Sequence, residues 1–593
     1  MCGVCGIFNM HHGGPVSRTV LNKMNEKLSH RGPDDCNIYL DHFIGLGHRR
    51  LSVIDPENGK QPFSNEDGTI WLTYNGEIYN HAELRQELAS KGHRFVTNCD
   101  TEVIVHAYEE YGQDCITKFN GMFSFALWDK KKSSLFIARD RLGIKPLYFG
   151  IYGSNFIFAS EIKAILAHPQ VRTEVDLSAI PEYILCTSLL NSKTMFKNIY
   201  AVPPGTVMVI KNGAIQKYRY WSIEHNSAQT GNASFAESCE EVRGLLDSSV
   251  GLRVMSDVPF GTLLSGGLDS SLVSAMATKH VDSRLMTFSM GYHKNKTLRP
   301  EGTDAHYAAQ VAASYGTDHT ELVFQSEDYF DVMKSVTWHV EKPVDLTSPS
   351  LFLLYKGVKL KSTVVTSGEG ADELFAGYHF FLDGDQSQQP TEFPWAPYLD
   401  DVSTLLNPAL EKETGYRETI RTTLMNEMNA LETDDRLNKR LYLFLKYYLV
   451  EMLERLDKTS MAWGVESRVP FLDHRLVEYV VNMPSAYKSK EGTTKILLKN
   501  IAANLLPEGV VKRQKRPVPI PVDPMTLLKQ RKTANELVQS GESVIGDYFD
   551  KKKVDHFFKK KEQFSTIDDL AIYRTSHALI ALDCWHRTFG VAA

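Results

Sequence analysis

The stretch Ser265-Gly266-Gly267-Leu268-Asp269-Ser270-Ser271 constrains this chain more than any other. Apolar residues 260–264 before it read as a strand, residues 271–280 after it as a helix, and 285–290 as the next strand. Glycines in a strand-to-helix turn let backbone N–H groups approach an anion at the positive end of the helix. The loop is therefore phosphate-binding by its physics, although it lacks the lysine of a Walker A sequence. The alternation continues with a helix over 304–315, a strand over 320–324, a helix over 329–339 and apolar 362–366 before a second glycine turn. A parallel, helix-covered sheet is expected.

That unit cannot account for 593 residues, because single cores stop growing near ~250–300 residues. Residues 1–215 read differently. Short strands at 70–74, 122–128, 135–139, 155–159 and 206–210 alternate with helices at 82–91 and 101–111, and the hairpin-like pair across residues 129–134 favours antiparallel sheets packed with helices. This half is α+β. Residues 224–234 are polar and nearly free of large apolar side chains, so a linker is placed at 216–234 and a second domain at 235–593. Residues 383–397 read as an exposed loop, and the chain beyond about 440 as mostly helical.

Lys plus Arg number 66 against 72 Asp plus Glu, a net charge of −6 that gives no basic excess for nucleic acid or an anionic membrane. The most apolar stretch, 441–456, contains Lys446, Glu451, Glu454 and Arg455 and is too short for a bilayer, so it reads as an amphipathic helix. The chain start has neither a basic n-region nor an apolar run, which points to the cytoplasm. Eight irregularly spaced cysteines argue for reduced thiols.

Cys2 and Cys5 form a C-x-x-C without a second metal-ligand pair at finger spacing. The position of Cys2 is more informative. Removal of Met1 would give it a thiol and a free α-amine on one residue, and an amine with pKa near ~7.7–8.0 can take the proton of a thiol near ~8.5. Arg50 can pair bidentately with a substrate carboxylate. Asn75-Gly76-Glu77, placed after a strand ending at Tyr74, supplies oxyanion-hole donors by type. Asp100 stands at a helix start, as an N-cap or as an acceptor for a substrate ammonium.

Taken together, Cys2-Gly3, His30-Arg31-Gly32-Pro33-Asp34, Arg50-Leu51-Ser52, Tyr74-Asn75-Gly76-Glu77, Gly121-Met122-Phe123 and Arg139-Asp140-Arg141-Leu142-Gly143 resemble the glutaminase domain of class II glutamine amidotransferases. The resemblance implies an αββα N-terminal-nucleophile fold in which Cys2 attacks the glutamine amide. It implies that Arg50, Leu51, Ser52, Val53, Ile54, Asn75, Gly76, Glu77 and Asp100 bind glutamine, with Asn75 and the Gly76 N–H stabilising the oxyanion.

In the second half, Asp269 puts a negative charge where phosphate is expected, a conflict that Mg²⁺ resolves. Asp372, in the acidic turn Ser367-Gly368-Glu369-Gly370-Ala371-Asp372-Glu373, completes a carboxylate pair, and Glu369 is a candidate base. Ser-Gly-Gly-Leu-Asp-Ser is the signature of the ATP pyrophosphatase family (adenine nucleotide α-hydrolase-like, α/β). With the acidic turn and Glu466-Ser467-Arg468-Val469-Pro470-Phe471-Leu472-Asp473, the chain resembles glutamine-dependent asparagine synthetases over nearly its whole length.

That resemblance implies an ATP site of Leu263, Ser265, Gly266, Gly267, Asp269, Ser270, Met290, Ser367 and Gly368, with Mg²⁺ on Asp269 and Asp372. It implies that Lys495 stabilises developing charge, and that Arg513 and Lys515 add positive charge near pyrophosphate. Aspartate would be adenylated by ATP and captured by ammonia made at Cys2. Asp345-Leu346-Thr347-Ser348-Pro349-Ser350 departs from the Thr-Thr-Ile-Arg-Ala-like stretch of one branch, so another acceptor, a cell-wall precursor or a natural-product acid, stays open. A homodimer is a family expectation.

Overall fold

The computed structural model describes residues 1–11, 14–224, 233–292, 303–378, 381, 404–515, 520, 524–540, 543–560 and 566–591. The loop expected at 383–397 and residues 225–232 of the linker lie outside them.

The first part of the chain contributes β1 (Gly3–Asn9), β2 (Asp35–Asp41), β3 (Ile44–Arg50), β4 (Phe63–Ser64), β5 (Ile70–Ile78) and β6 (Gly121–Asp129). It continues with β7 (Ser134–Arg139), β8 (Tyr148–Tyr152), β9 (Asn155–Ala159), β10 (Tyr200–Ala201), β11 (Thr206–Lys211) and β12 (Ala214–Arg219). They form two antiparallel six-stranded sheets, ordered β10-β8-β9-β1-β3-β2 and β12-β11-β7-β6-β5-β4. Side-chain alternation builds three layers of core. Val4 and Phe8 of β1 meet Ala126 and Trp128 of β6 between the sheets. Cys5 and Ile7 face outward onto Leu21, Met24 and Leu28 of and beside α1 (Arg18–Glu26). Phe123 and Phe125 face outward onto α2 (His81–Ser90) and α3 (Asp100–Tyr111). This is the expected αββα sandwich.

Both faces of β1 are covered, and β3 beside it (IGLGHRR) is rich in Gly and charge, so neither carries an alternation that sequence reading can find. β12 runs to Arg219, so residues 216–219 of the expected linker are strand. Contrary to expectation, Asn75, Gly76 and Glu77 do not follow a strand but lie within β5, paired with Ser124, Phe123 and Met122 of β6. Glycine is required there because a Cβ at Gly76 would stand 2.2 Å from the Met122 carbonyl oxygen.

Beyond the linker, β13 (Phe260–Leu263), β14 (Met286–Tyr292), β15 (Asp318–Phe324), β16 (Val364–Thr366) and β17 (Glu466–Arg468) form a wholly parallel sheet ordered β15-β14-β13-β16-β17. α4 (Phe235–Arg253) opens with a Ser234–Glu237 capping box, α5 (Leu268–Ala277) follows the glycine loop, and α6 (Asp304–Tyr315) follows β14. The helix expected over 329–339 is broken at Val332 into Ser326–Asp331 and Met333–Val340. The amphipathic stretch at 441–456 is likewise composite: a π-helical turn at Phe444–Tyr448 joins Arg436–Leu443 to α7 (Leu449–Met461). Among the described residues no helix is long and apolar enough to cross a membrane.

The two parts meet through buried charge. Arg31, held by Glu161 of its own domain at 2.9 Å, pairs with Asp457 of α7 at 2.8 Å, Lys145 reaches Asp457 at 3.2 Å, and Lys163 reaches Glu341 at 3.1 Å. All are nearly inaccessible. Such pairs are a costly way to stabilise an interface relative to apolar contacts, and they fix its register because any slip leaves buried charges uncompensated.

Candidate active sites

Cys2 sits immediately before β1, which lies near the centre of its sheet between β9 and β3, so strand pairing on both sides fixes the nucleophile's backbone. The Cys2 N–H donates to Asn75 Oδ1 at 2.9 Å, and its carbonyl accepts from Arg31 Nε at 3.0 Å. An N–H requires an oxygen opposite it, so the Asn75 amide is oriented. Its Nδ2 is left as a buried donor with no hydrogen-bond partner among the described residues. A buried, unpaired and oriented amide N–H beside a thiol is what an oxyanion needs. Burial pushes the thiol up, while the nearby terminal ammonium and Arg50 pull it back down.

The Met1 ammonium lies 2.9 Å from Glu466 Oε2, with both groups fully enclosed. Arg31 is legible in sequence only as part of the motif His30-Arg31-Gly32-Pro33-Asp34. Its positioning of Cys2 is invisible in sequence because its partners lie 130 and more residues away.

The neighbouring loop is ordered by side chains of the expected glutamine pocket. Arg50 Nη1 donates to the Pro56 carbonyl at 2.7 Å, and Nη2 donates to those of Asp55 at 2.7 Å and Ile54 at 3.2 Å, which folds residues 54–56 around the guanidinium. Asp34 accepts from the Ser52 N–H at 2.8 Å, while the Asp34 N–H donates to the Arg50 carbonyl, pinning Leu51 to Val53 beside Cys2. Asp100 occupies the first turn of α3, but the cap position is Cys99. Asp100 accepts instead from the Tyr74 hydroxyl at 2.6 Å and the Ile78 N–H at 2.9 Å. Glu77 pairs with Arg468 of β17 at 3.2 Å, while its Oε1 is buried and unpaired. Burial and the neighbouring Asp100 push its carboxyl well above the usual range.

The second site lies at the C-terminal ends of β13 and β16. Gly266 has φ +70°, a conformation open to glycine. Ser265 and Ser270 bond each other's hydroxyls at 2.9 Å, closing the loop. α5 is preceded by Gly267 at its N-cap, with no side-chain cap, unlike α4, so its first N–H groups are available to a ligand. Gly368 of the acidic turn passes so close that a Cβ would stand 2.8 Å from the Ser270 nitrogen, which welds the two loops into one floor. Ser367 accepts at its hydroxyl from the Glu369 N–H, and its own N–H donates to the Arg468 carbonyl. Leu263 ends β13, half-buried, and Met290 is buried in adjacent β14.

Lys495 Nζ bridges the carboxylates of Asp269, at 2.5 Å, and Asp372, at 2.6 Å, and Lys515 adds a second contact to Asp372. Burial pushes Asp269 up. It acts on Asp372 as well but is outweighed by Lys495 and Lys515, which hold that carboxyl low. Lys495 is buried, and it caps the helix Ile496–Ala502 in a left-handed conformation at φ +54°, a strained geometry for a residue with a Cβ. Arg513 reaches the Gly266 carbonyl at 3.0 Å and pairs with Asp304, bracing the loop from behind.

Glu369 faces Arg455 of α7 at 3.6 Å, and burial pushes its carboxyl up. Arg455 also donates to Thr347 Oγ1 at 2.6 Å, so the divergent 345–350 segment borders this carboxylate.

A sandwich with a thiol ahead of its central strand, joined to a parallel sheet whose glycine loop ends at a lysine-bridged acid pair, is the architecture of a two-domain amidotransferase. Comparison with known proteins agrees. Residues 1–221 match the family described as Glutamine amidotransferase domain, and residues 241–587 match the one described as Asparagine synthase. The chain belongs to the asparagine synthase family. It is 33% identical to the Bacillus subtilis protein named glutamine-hydrolyzing asparagine synthetase 3, covering 94% of this chain and 93% of that one. It is 31% identical to asparagine synthetase 1 of the same organism (98% and 97%), and 33% identical to asparagine synthetase 3 of Arabidopsis thaliana (82% and 72%).

Proposed function

We propose that this chain is a glutamine-hydrolysing asparagine synthetase: ammonia released from glutamine at Cys2 captures a β-aspartyl-AMP formed from aspartate and ATP. The observation that carries the reading is the unpaired Asn75 Nδ2 beside Cys2. Arg50, Leu51, Ser52, Val53, Ile54, Glu77 and Asp100 surround the same thiol as the glutamine pocket, and Asn75 with Gly76 forms the oxyanion hole. Removal of Met1 leaves the Cys2 nitrogen as an α-amine still beside Asn75 Oδ1, where it can take the thiol proton.

ATP lies on the floor formed by Leu263, Ser265, Gly266, Gly267, Ser270, Met290, Ser367 and Gly368. The residues present also fit Mg²⁺: Asp269 Oδ1 is buried without a hydrogen-bond partner among the described residues, opposite Asp372. Asp269 and Asp372 would hold the cation, which when bound neutralises charge on the leaving pyrophosphate. Lys495 supplies a fixed positive charge at the same point, and Glu369 stands as base beside the acceptor. The enzyme works in the cytoplasm as a homodimer.

The test is pyrophosphate release with ATP, Mg²⁺ and glutamine across a panel of carboxylic acids. Aspartate should stimulate it most and yield asparagine; stimulation by a diaminopimelate-type acid instead would move the acceptor assignment to the other reading. Asn75→Ala should lower glutamine-dependent kcat by ~10²–10³-fold, the loss typical of one oxyanion donor, and leave ammonia-dependent synthesis intact. Equal loss with both nitrogen sources would mean that Asn75 acts structurally.

A further inference from the structure

A second cluster of metal-ligating side chains lies in the first domain, about two turns along α3 from Asp100 and on the loop before that helix. We propose that His93, His106 and Glu109 form a site for a divalent transition metal, Zn²⁺ by its ligand chemistry. One ligand atom from each of the three lies within 4.8 Å of those from the others. Glu109 Oε2 is the focus: it is 2.8 Å from His106 Nδ1 and 3.6 Å from His93 Nδ1. Ligands at ~2.0–2.2 Å around a tetrahedral ion stand roughly 3.3–3.5 Å apart, so the hydrogen-bonded His106–Glu109 pair at 2.8 Å has to open by about half an ångström and the partly exposed His93 has to turn toward them.

The surroundings of the three residues point the same way. A histidine that binds metal through one ring nitrogen generally offers the other to a carboxylate, which fixes its tautomer and its orientation. Here both do so. His106 Nε2, buried and without a hydrogen-bond partner among the described residues, faces Glu102 Oε1 at 3.6 Å. His93 Nε2 faces Glu110 Oε2 at 3.3 Å. The ligand carboxylate is itself held, because Asn65 Nδ2 donates to Glu109 Oε1 at 2.8 Å. An arrangement built only to pair charges has no need for two imidazoles turned with the same nitrogen toward one oxygen.

Two imidazoles and one carboxylate suit zinc and its neighbours and are poor ligands for Mg²⁺ or Ca²⁺. His106 and Glu109 are one turn apart on α3, and His93 comes from the loop before it, so the ion would clip that loop to the helix. The same loop is held by Glu102, which accepts from the Val96 and Thr97 N–H groups at 2.8 Å. Side-chain exposures of 17% for His93 and 23% for Glu109 leave one face open for water as a fourth ligand.

The experiment uses the full chain, with Cys2→Ala introduced to remove the reactive thiol as a competing ligand. After chelator treatment and dialysis it is titrated with Zn²⁺ against a chromophoric chelator, and separately with Co²⁺ in the visible range. One equivalent of Zn²⁺ should bind, with a tetrahedral Co²⁺ spectrum free of thiolate charge-transfer bands, and the melting temperature should rise on loading. His93→Gln and Glu109→Gln, both at partly exposed positions, should each weaken Zn²⁺ by at least ~10-fold. Absence of stoichiometric binding, a thiolate-type Co²⁺ spectrum, or unchanged affinity in both variants would overturn the site.

Discussion

Cys2→Ala should lower glutamine-dependent asparagine formation by at least ~10⁴-fold, the scale on which loss of a nucleophile is felt, and leave ammonia-dependent formation near the unsubstituted rate. The reason for the split is spatial. Cys2 touches Asn75, Arg31 and the 50–53 loop, all in the first domain, whereas the carboxylate pair and the glycine loop belong to the parallel sheet. The substitution removes one sulfur at a 7% exposed position and preserves the Cys2 N–H and carbonyl bonds, so the interface through Arg31 and Asp457 should survive it. Ammonia supplied in solution then bypasses the missing step. Intact-mass measurement of the active protein should find Met1 removed. Full glutamine-dependent activity with Met1 retained would defeat the amine-as-base argument, since the Cys2 nitrogen would remain an amide. Loss of both activities in Cys2→Ala would sink the division of labour.

Most of the chemistry was legible because it rests on local runs. The glycine loop, the acidic turn and the thiol behind Met1 each announce a chemical role within seven residues or fewer, and the β13-loop-α5 unit follows from the change of hydrophobic period. What sequence reading missed is of two kinds. The first is strands whose faces are both buried or whose residues are charged. β1 is covered on both sides, and β17 consists of Glu466, Ser467 and Arg468, with Glu466 and Arg468 paired to each other and Arg468 to Glu77 across the domain interface. No propensity marks such a strand, because tertiary pairing overrides it. The second kind is position imposed from far along the chain. Arg31 and Lys495 are each buried among carboxylates contributed by distant elements. Nothing in a local window distinguishes a solvated lysine from one held at φ +54° against two aspartates.

The strain at Lys495 leads to the second large expected effect, which concerns the acid pair. Asp269→Asn should reduce pyrophosphate release by at least ~10²-fold with glutamine and with ammonia alike, since even an outer partner of a metal ligand is worth 10–100-fold and Asp269 is assigned to the ion itself. The substitution is nearly isosteric, so Gly368 keeps its close pass over the Ser270 nitrogen and the loop floor should persist. What changes is charge. Lys495 would retain Asp372 as its only carboxylate partner of the two, and Asp372 is also held by Lys515, so the centre becomes more positive and binds a divalent cation less well. The loss should therefore be partly recovered at high Mg²⁺, which a folding defect would not show, and the melting temperature without nucleotide should move little. The outcome with both nitrogen sources separates this site from Cys2. A variant that releases pyrophosphate normally would remove Asp269 from the metal site, whereas one impaired only with glutamine would place it on the path of nitrogen rather than of phosphate.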